Sequence, residues 1–527
     1  MTAKKFLCSL LAIVMVLGAL AGCGGQQVSN DGDPNTFTWW SYNNHNADVD
    51  SYDEMACFQM LEEATGVDIK WIHPVAGQQN EQFGVIMASG DYPDMISFDN
   101  WGLYNGGAVA AMKDGIIIDL APYMTKENMP NLIEQFELHP EWKKSTTNYD
   151  GSVTLFGVYK DDIAINGFVG PTLRKDWLDK LGLEVPETME DWTNVLRAFK
   201  NEDPNGNGIA DEIPFTSQGI RSAYHYFSAA YGASSLMMNT KEGKTVYGPI
   251  QPGFKDFLIQ MHEWYEEGLL DKEYLGTDGA ILDAHMTGDR LGAYIGYTGS
   301  QMSAYLAARK GDGTNFDLIA APWPKKDANS PAYCGFDGLL NTASTTAGTA
   351  ISTQNDNLAK TWEIFDWAVG DGSIALNYGV EGETYTVEDG EYVFADWIIN
   401  NPDGLDAVTA LAKYAMPNYG AGGFRIFLDA YEKIPRNGPQ QKHAAAIWAS
   451  GDPTPLLPPL AFTEEEADAI SKVRTDADIL VHEYMTNVII GADSIDNFDD
   501  YVAKIKAFGI ADMEAAYQAA YDRYLAS

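Results

Sequence analysis

Residues 36–98 switch back and forth between two hydrophobic periods, and this alternation limits the fold more than any other feature of the chain. Thr36-Phe37-Thr38-Trp39-Trp40 reads as a strand that runs into a polar stretch, Ser41 to Asn46. Aromatic and β-branched residues suit a pleated, half-buried surface. Ser51 and Glu54 have capping-box spacing and predict a helix to about Thr65, closed by Gly66. Val67–Ile72 alternates like a second strand, a further helix is predicted over 80–89, and Asp94–Phe98 reads as a third strand. Strand, helix, strand, helix, strand predicts the α/β class with a parallel sheet. In such sheets ligands bind beyond the carboxyl ends of strands. The loops at Trp40–Asn46 and Asp99–Trp101 are therefore the first candidate binding loops.

The first 22 residues belong to no such pattern. A basic start, Met1 to Lys5, leads into an apolar run from Phe6 to Leu20 and then Leu20-Ala21-Gly22-Cys23. A charged segment, a short apolar segment and small residues before a cleavage point describe a secretory signal. The run is shorter than the ~20 residues of a membrane-spanning helix. Leu-Ala-Gly-Cys resembles the bacterial lipobox. This implies that Cys23 becomes the first mature residue and carries a palmitate-type lipid anchor outside the cytoplasmic membrane. Residues 24–35 are polar and rich in glycine, so they read as a flexible tether.

At 527 residues the chain is long enough for two or three domains. Its formal net charge of −41 argues against a nucleic-acid partner, because phosphate binding needs clustered Lys and Arg. Once Cys8 leaves with the leader and Cys23 is lipidated, Cys57 and Cys334 remain. They read as an extracellular disulfide or as two buried thiols.

A second section opens near Gly170. Thr172–Leu183 reads as a helix stopped by Gly182. Thr188 is the expected N-cap of another, whose Trp192, Val195, Leu196 and Phe199 share one face. Leu291–Tyr297 reads as a buried strand, and residues 497–508 and 512–524 as amphipathic helices.

The sharpest internal motif follows the Trp192 helix. Asp203, Asn205, Asn207, Asp211 and Glu212 stand at positions 1, 3, 5, 9 and 10 of a loop with glycine at position 6, and the Ile209 carbonyl stands at position 7. Ca²⁺ takes six to eight oxygen ligands, and alternating Asp and Asn in a tight loop supplies them. Position 12 is Pro214 rather than the bidentate glutamate of an EF-hand, so that role passes to Asp211 or Glu212. The reading is a structural calcium site.

Catalytic signatures fail on inspection. His482-Glu483 is followed by Thr486 where a zinc protease needs a second histidine. Gly243-Lys244-Thr245 has Met238 where a phosphate loop needs glycine. No catalytic residue is assigned. Aromatic residues near predicted strand ends suit a sugar, whose apolar face stacks on a ring while its hydroxyls bond to polar side chains. The ligand-binding candidates are Trp40, Tyr42, Asn43, Asp99, Trp101, Gln218, Tyr297, Trp323 and Arg425.

Together these segments resemble the large oligosaccharide-binding lipoproteins that serve bacterial ABC transporters, alginate-binding members included. The resemblance rests on the Cys23 lipobox, Asp91–Ile96, Arg174–Gly182, the Asp203–Pro214 loop, Asn377–Gly382 and the terminal stretch from Ile490 to Tyr524. It implies a two-lobed, Venus-flytrap fold with a hinge between discontinuous lobes. Residues 36–166 and about 338–400 would form one lobe, and 167–337 with about 401–527 the other. It implies calcium in the acidic loop, an oligosaccharide ligand, ABC permease subunits as partners and a monomeric, membrane-tethered body. A lipid-anchored glycan hydrolase or lyase, or a ligand-loaded sensor, are the alternatives. The acidic charge favours a neutral oligosaccharide over a uronate polymer.

Overall fold

The computed structural model describes residues 33–43, 49–218, 225–234, 236–311, 313–343, 346–416, 422–434 and 438–527. Cys23, the leader and most of the tether lie outside them. In chain order the first strands and helices are β1 (Thr36–Ser41), α1 (Ala56–Thr65), β2 (Asp68–Ile72), α2 (Gln79–Ser89) and β3 (Met95–Phe98). Beyond three helices at Gly107–Lys113, Pro130–Leu138 and Pro140–Thr146, the elements that matter for the site are β4 (Tyr159–Lys160), β5 (Val169–Arg174), α3 (Lys175–Leu181), α4 (Met189–Asn201) and β6 (Ile213–Phe215). Next come β7 (Met237–Asn239), β8 (Thr245–Tyr247), β9 (Leu291–Tyr297), β10 (Leu318–Ala320), β11 (Gly348–Ile351) and α5 (Leu358–Val369). The last are β12 (Tyr385–Glu388), β13 (Glu391–Phe394), β14 (Arg425–Ile426), α6 (Pro439–Ala449), α7 (Glu464–Ile489) and α8 (Ile510–Ala526).

Two four-stranded sheets anchor two lobes. The first has the order β11-β3-β1-β2, with β1 parallel to both β2 and β3 and β11 antiparallel to β3. The predicted β-α-β-α-β unit is therefore present, and a strand from 250 residues downstream closes its edge. The second sheet has the order β10-β5-β9-β6 and mixes parallel and antiparallel pairs.

Every residue of β1 is buried, so both faces of the first sheet are covered. Trp39 packs into one layer with Phe365 and Phe424. Its neighbour Trp40 turns to the other layer, against Phe83 and Phe98. In the second lobe the predicted face of α4 is buried, and Thr188 closes a capping box with Asp191. Such a cap contributes ~1 kcal/mol.

Two local expectations need correction. Ser51 caps no α-helix: its hydroxyl lies 3.5 Å from His73 Nε2, and α1 begins only at Ala56. Thr172–Arg174 are strand, because their backbone pairs with β10 and β9 before α3 starts at Lys175. Met416 and Phe424 belong to the first lobe's core, whereas Ala444 and Trp448 belong to the second's. Both cysteines are buried free thiols, and burial pushes each up to about 12.

Three stretches of chain cross between the lobes, and they lie side by side. Tyr159 N–H donates to the Phe424 carbonyl at 2.9 Å, and Lys160 N–H to the Thr342 carbonyl at 3.1 Å. Asn166 then ties the crossing to its neighbour by donating to the carbonyls of Leu339 and Asn341. Among the described residues no helix is long and apolar enough to cross a membrane.

Candidate functional site

The parallel strands β1 and β3 deliver Tyr42, Asn43 and Asp99 to one end of the first sheet. Asp99 is exposed; Tyr42 and Asn43 are half-buried. The loop after β1 is braced from both sides. Asn43 Nδ2 donates to the Val49 carbonyl at 2.8 Å, and the Tyr52 hydroxyl donates to the Tyr42 carbonyl at 3.0 Å. His73, beyond β2, bridges the same loop. Its Nδ1 lies 2.7 Å from the Ser41 carbonyl, and its Nε2 accepts the Tyr52 N–H at 3.2 Å. Burial lowers its pKa, partly opposed by the Ser41 carbonyl.

In the second sheet β9 ends at Tyr297, which is 44% exposed and so presents an open ring face. Its ring is parallel to that of Phe168, with centroids 6.2 Å apart, and Phe168 meets Phe336 edge-on at 5.2 Å. Gln218 lies exposed beyond β6. Arg425 sits on β14 at the crossing, paired with Tyr159. Its guanidinium lies over the Phe427 ring at 4.7 Å, and its buried Nε has no hydrogen-bond partner among the described residues. Burial lowers its pKa, and nearby Asp161 opposes that shift. Asp161 is itself raised by burial, although it accepts the Leu428 N–H. A buried donor without a partner at a hinge is a group left for a ligand oxygen.

Three candidates do not belong with this group. Trp40, Trp101 and Trp323 are each no more than 1% exposed. Trp101 Nε1 donates to the Gly348 carbonyl at 3.2 Å, and Trp323 Nε1 donates to the Trp448 carbonyl at 2.8 Å. Their indoles are core, because helices cover both faces of the sheet and leave a strand-end tryptophan no open side. Arg174 and Trp177 are core as well. Arg174 pairs with Asp176 and Asp289 while stacking on Trp177. Phe168 and Phe336 escaped the sequence reading, since neither lies at a recognisable strand end.

The acidic loop folds around its own first residue. Asp203 takes a left-handed φ of 46°, and its carboxylate accepts the N–H groups of Gly206, Asn207 and Gly208 at 2.9–3.1 Å. Asn205 Oδ1 accepts the Asn207 N–H, and Asn207 Oδ1 accepts the Ile209 N–H. The amides of Asn205 and Asn207 converge on Asp211 Oδ1 at 3.4 and 3.0 Å. Glu212 Oε1 is buried with no partner among the described residues. Its pKa is raised by burial and by the charges of Asp203 and Asp211. Among the described residues no three carboxylates gather closely enough to hold a metal ion. The loop nevertheless carries the oxygen types a hard cation takes, an orphaned Glu212 oxygen with the carboxylates of Asp203 and Asp211 and the amide oxygens of Asn205 and Asn207 along the same ten residues, and these donor types suit calcium. The loop is tied to the start of β9 through Asn205 Nδ2, which donates to the Asp289 carbonyl. It thus lies at the opposite end of that strand from Tyr297, ~20 Å away at ~3.3 Å per residue.

The profile of a family described as bacterial extracellular solute-binding protein matches residues 46–375. The fructooligosaccharide ABC transporter substrate-binding protein FusA of Streptococcus pneumoniae is 26% identical over 561 residues, 99% of each chain. Lipoprotein LipO of Bacillus subtilis is 25% identical over 530 residues, 98% of each chain. The structure of FusA in complex with kestose superposes with a TM-score of 0.70 at 24% identity, over 93% of this chain and 99% of its own. An EF-hand mutant of FusA superposes at 0.68 with the same coverage. Alginate-binding protein AlgQ2, solved without calcium ion, superposes at 0.67 and 22% identity, over 93% of this chain and 98% of its own. These superpositions share the two-lobed α/β fold.

Proposed function

Because the chain belongs to the bacterial extracellular solute-binding protein family, we propose that it captures a neutral oligosaccharide between its lobes and hands it to an ABC permease. The observation that carries this reading is the hinge-side group: an open Tyr297 ring, and an Arg425 Nε that is buried without a partner where two crossings pair. The ring offers a stacking face to a sugar, and the guanidinium offers a donor to a sugar oxygen. Tyr42, Asn43, Asp99 and Gln218 supply polar contacts from the other strand ends. The fructooligosaccharide specificity of FusA and its complex with kestose support a saccharide ligand. Lobes joined by narrow, hydrogen-bonded crossings close by hinge motion. The chain performs no chemistry on its cargo.

In the same reading Asp203, Asn205, Asn207, Asp211 and Glu212, with the Ile209 carbonyl, hold a calcium ion. When bound, the ion supplies structural charge neutralisation in the second lobe. The EF-hand mutant of FusA and the AlgQ2 structure without calcium ion support this assignment. A lipid on Cys23 keeps the body outside the cytoplasmic membrane, which intact-mass analysis of the membrane fraction tests.

Calorimetric titration against a panel of oligosaccharides tests capture, with mass spectrometry of the recovered sugars. Saturable binding of one glycan class with unaltered sugar is the expected result. Cleaved products would establish an enzyme instead, and no binding across the panel would overturn the saccharide reading.

A further inference from the structure

The second lobe contains a cavity of about 560 Å³ that none of the nine sequence-derived candidates lines. Its size falls in the ~300–1,000 Å³ range of small-molecule sites. The segment 455–462, helices α7 and α8, and residues 226–237 and 334–337 enclose it. Its rings are Tyr226, Tyr247, Phe462 and Tyr517, and its charged groups are Asp337, Arg474 and Asp478. Arg474 Nε lies 3.8 Å from Asp478 Oδ2, and the Tyr247 hydroxyl 3.4 Å from Asp478 Oδ1. One cation is thus already paired with a carboxylate, and Asp337, whose carboxyl pKa is raised by burial, adds a second acidic group within reach of the Arg474 charge.

A row of aromatic rings leads to this cavity from the strand-end site. Tyr297 stacks with Phe168, Phe168 meets Phe336, and Phe336 meets Tyr226 at a centroid distance of 6.5 Å. Tyr226 in turn lines the cavity wall. An oligosaccharide is a string of apolar ring faces edged with hydroxyls, and the half-buried Phe168 and Phe336 offer it apolar contact between Tyr297 and the cavity.

We propose that this cavity is the terminal subsite of the saccharide site, taking the end of a neutral chain that starts at Tyr297 and so making affinity depend on chain length. The inference rests on the capture reading given above. Asp337 and Asp478 accept hydrogen bonds from sugar hydroxyls, and the same two carboxylates repel an end unit that is a uronate.

The test is calorimetry on the full chain in detergent with calcium. The probes are a neutral series, maltose to maltopentaose with kestose and nystose, and a galacturonate series of the same lengths. Two variants accompany the wild type. Leu457→Trp fills the cavity from the irregular segment 455–462, where Leu457 is half-buried and lies in no helix or strand. Asp337→Asn removes one charge and keeps the shape. The wild type should bind a neutral tetrasaccharide at least tenfold tighter than the disaccharide. Leu457→Trp should abolish that gain while leaving disaccharide affinity within twofold. Asp337→Asn should narrow the neutral-over-uronate ratio at least fivefold. Length-independent binding by the wild type overturns the subsite and leaves saccharide capture standing. So does a full length gain in Leu457→Trp, or an unchanged ratio in Asp337→Asn. No affinity for any member of either series overturns both readings.

Discussion

Chelation is the perturbation whose size follows most directly from the structure. In the acidic loop the charges of Asp203 and Asp211 act on Glu212, whose Oε1 oxygen is buried without a partner among the described residues. A cation that binds only the folded loop stabilises it by RT ln(1 + [L]/Kd), ~2.7 kcal/mol at a hundredfold excess over Kd. For a lobe of this size ~1 kcal/mol moves the midpoint by ~2–4 °C, so removing calcium should lower Tm by ~5–10 °C. Asp203→Asn separates metal from scaffold. The amide oxygen can still accept the N–H groups of Gly206 and Asn207, which Oδ1 of the carboxylate now holds at 2.9 and 3.1 Å, whereas the Gly208 N–H, now held by Oδ2, loses its acceptor. Loss of that one bond costs ~1 kcal/mol, so the variant should melt ~2–4 °C below chelated wild type and gain nothing from added calcium. Differential scanning calorimetry of both proteins, with 1:1 additions of calcium after chelator, reads the effect. A wild type whose Tm ignores chelator, or a variant that keeps the full calcium response, would refute the reasoning.

Other expectations are more local. Tyr297→Ala should weaken saccharide binding about three- to tenfold by calorimetry, since one aromatic stacking face is worth ~0.5–1.5 kcal/mol. Trp101→Ala, in contrast, should cost ~3–5 kcal/mol of stability in urea melts while the surviving folded protein keeps its affinity, because that indole is wholly core. Gly292→Ala should destabilise by ~1–3 kcal/mol, as its Cβ would stand 2.4 Å from the Phe199 ring. His73 gives a pH signature. Burial holds its pKa below the ordinary imidazole value, so its neutral form contributes stability that is complete above that value and is lost as pH falls through the lowered one. The stability gap between wild type and His73→Gln should narrow from pH 8 to pH 5 in urea titrations, and a constant gap would exclude the mechanism.

The β-α-β-α-β unit was legible because each of its elements carries its own period, and α4 because a cap and a four-residue apolar stripe agree. The acidic loop was equally legible, since loop chemistry is local: Asp203 organises residues no more than five positions away. Long-range partners decided what could not be read. Trp40 looks like a strand-end ligand contact until α2 places Phe83 against it. Thr172–Arg174 look helical until β9 and β10 pair with them from over 100 residues downstream. The row from Tyr297 to Tyr226 joins four residues from separate stretches of chain, and no spacing rule connects them.

The interleaving of the two lobes also governs when the protein can come to exist. β11 closes the edge of a sheet whose other strands end at residue 98, and β14 pairs with β4 across 266 positions. The second core waits longer still, for α7 and α8 at the far terminus. Contacts of such sequence separation form slowly, because loop closure must precede any reward. The first core therefore cannot close before Phe424 is made, and the second not before α7 and α8 are. A polypeptide whose cores close this late in synthesis stays extended and threadable for most of the time it is being made.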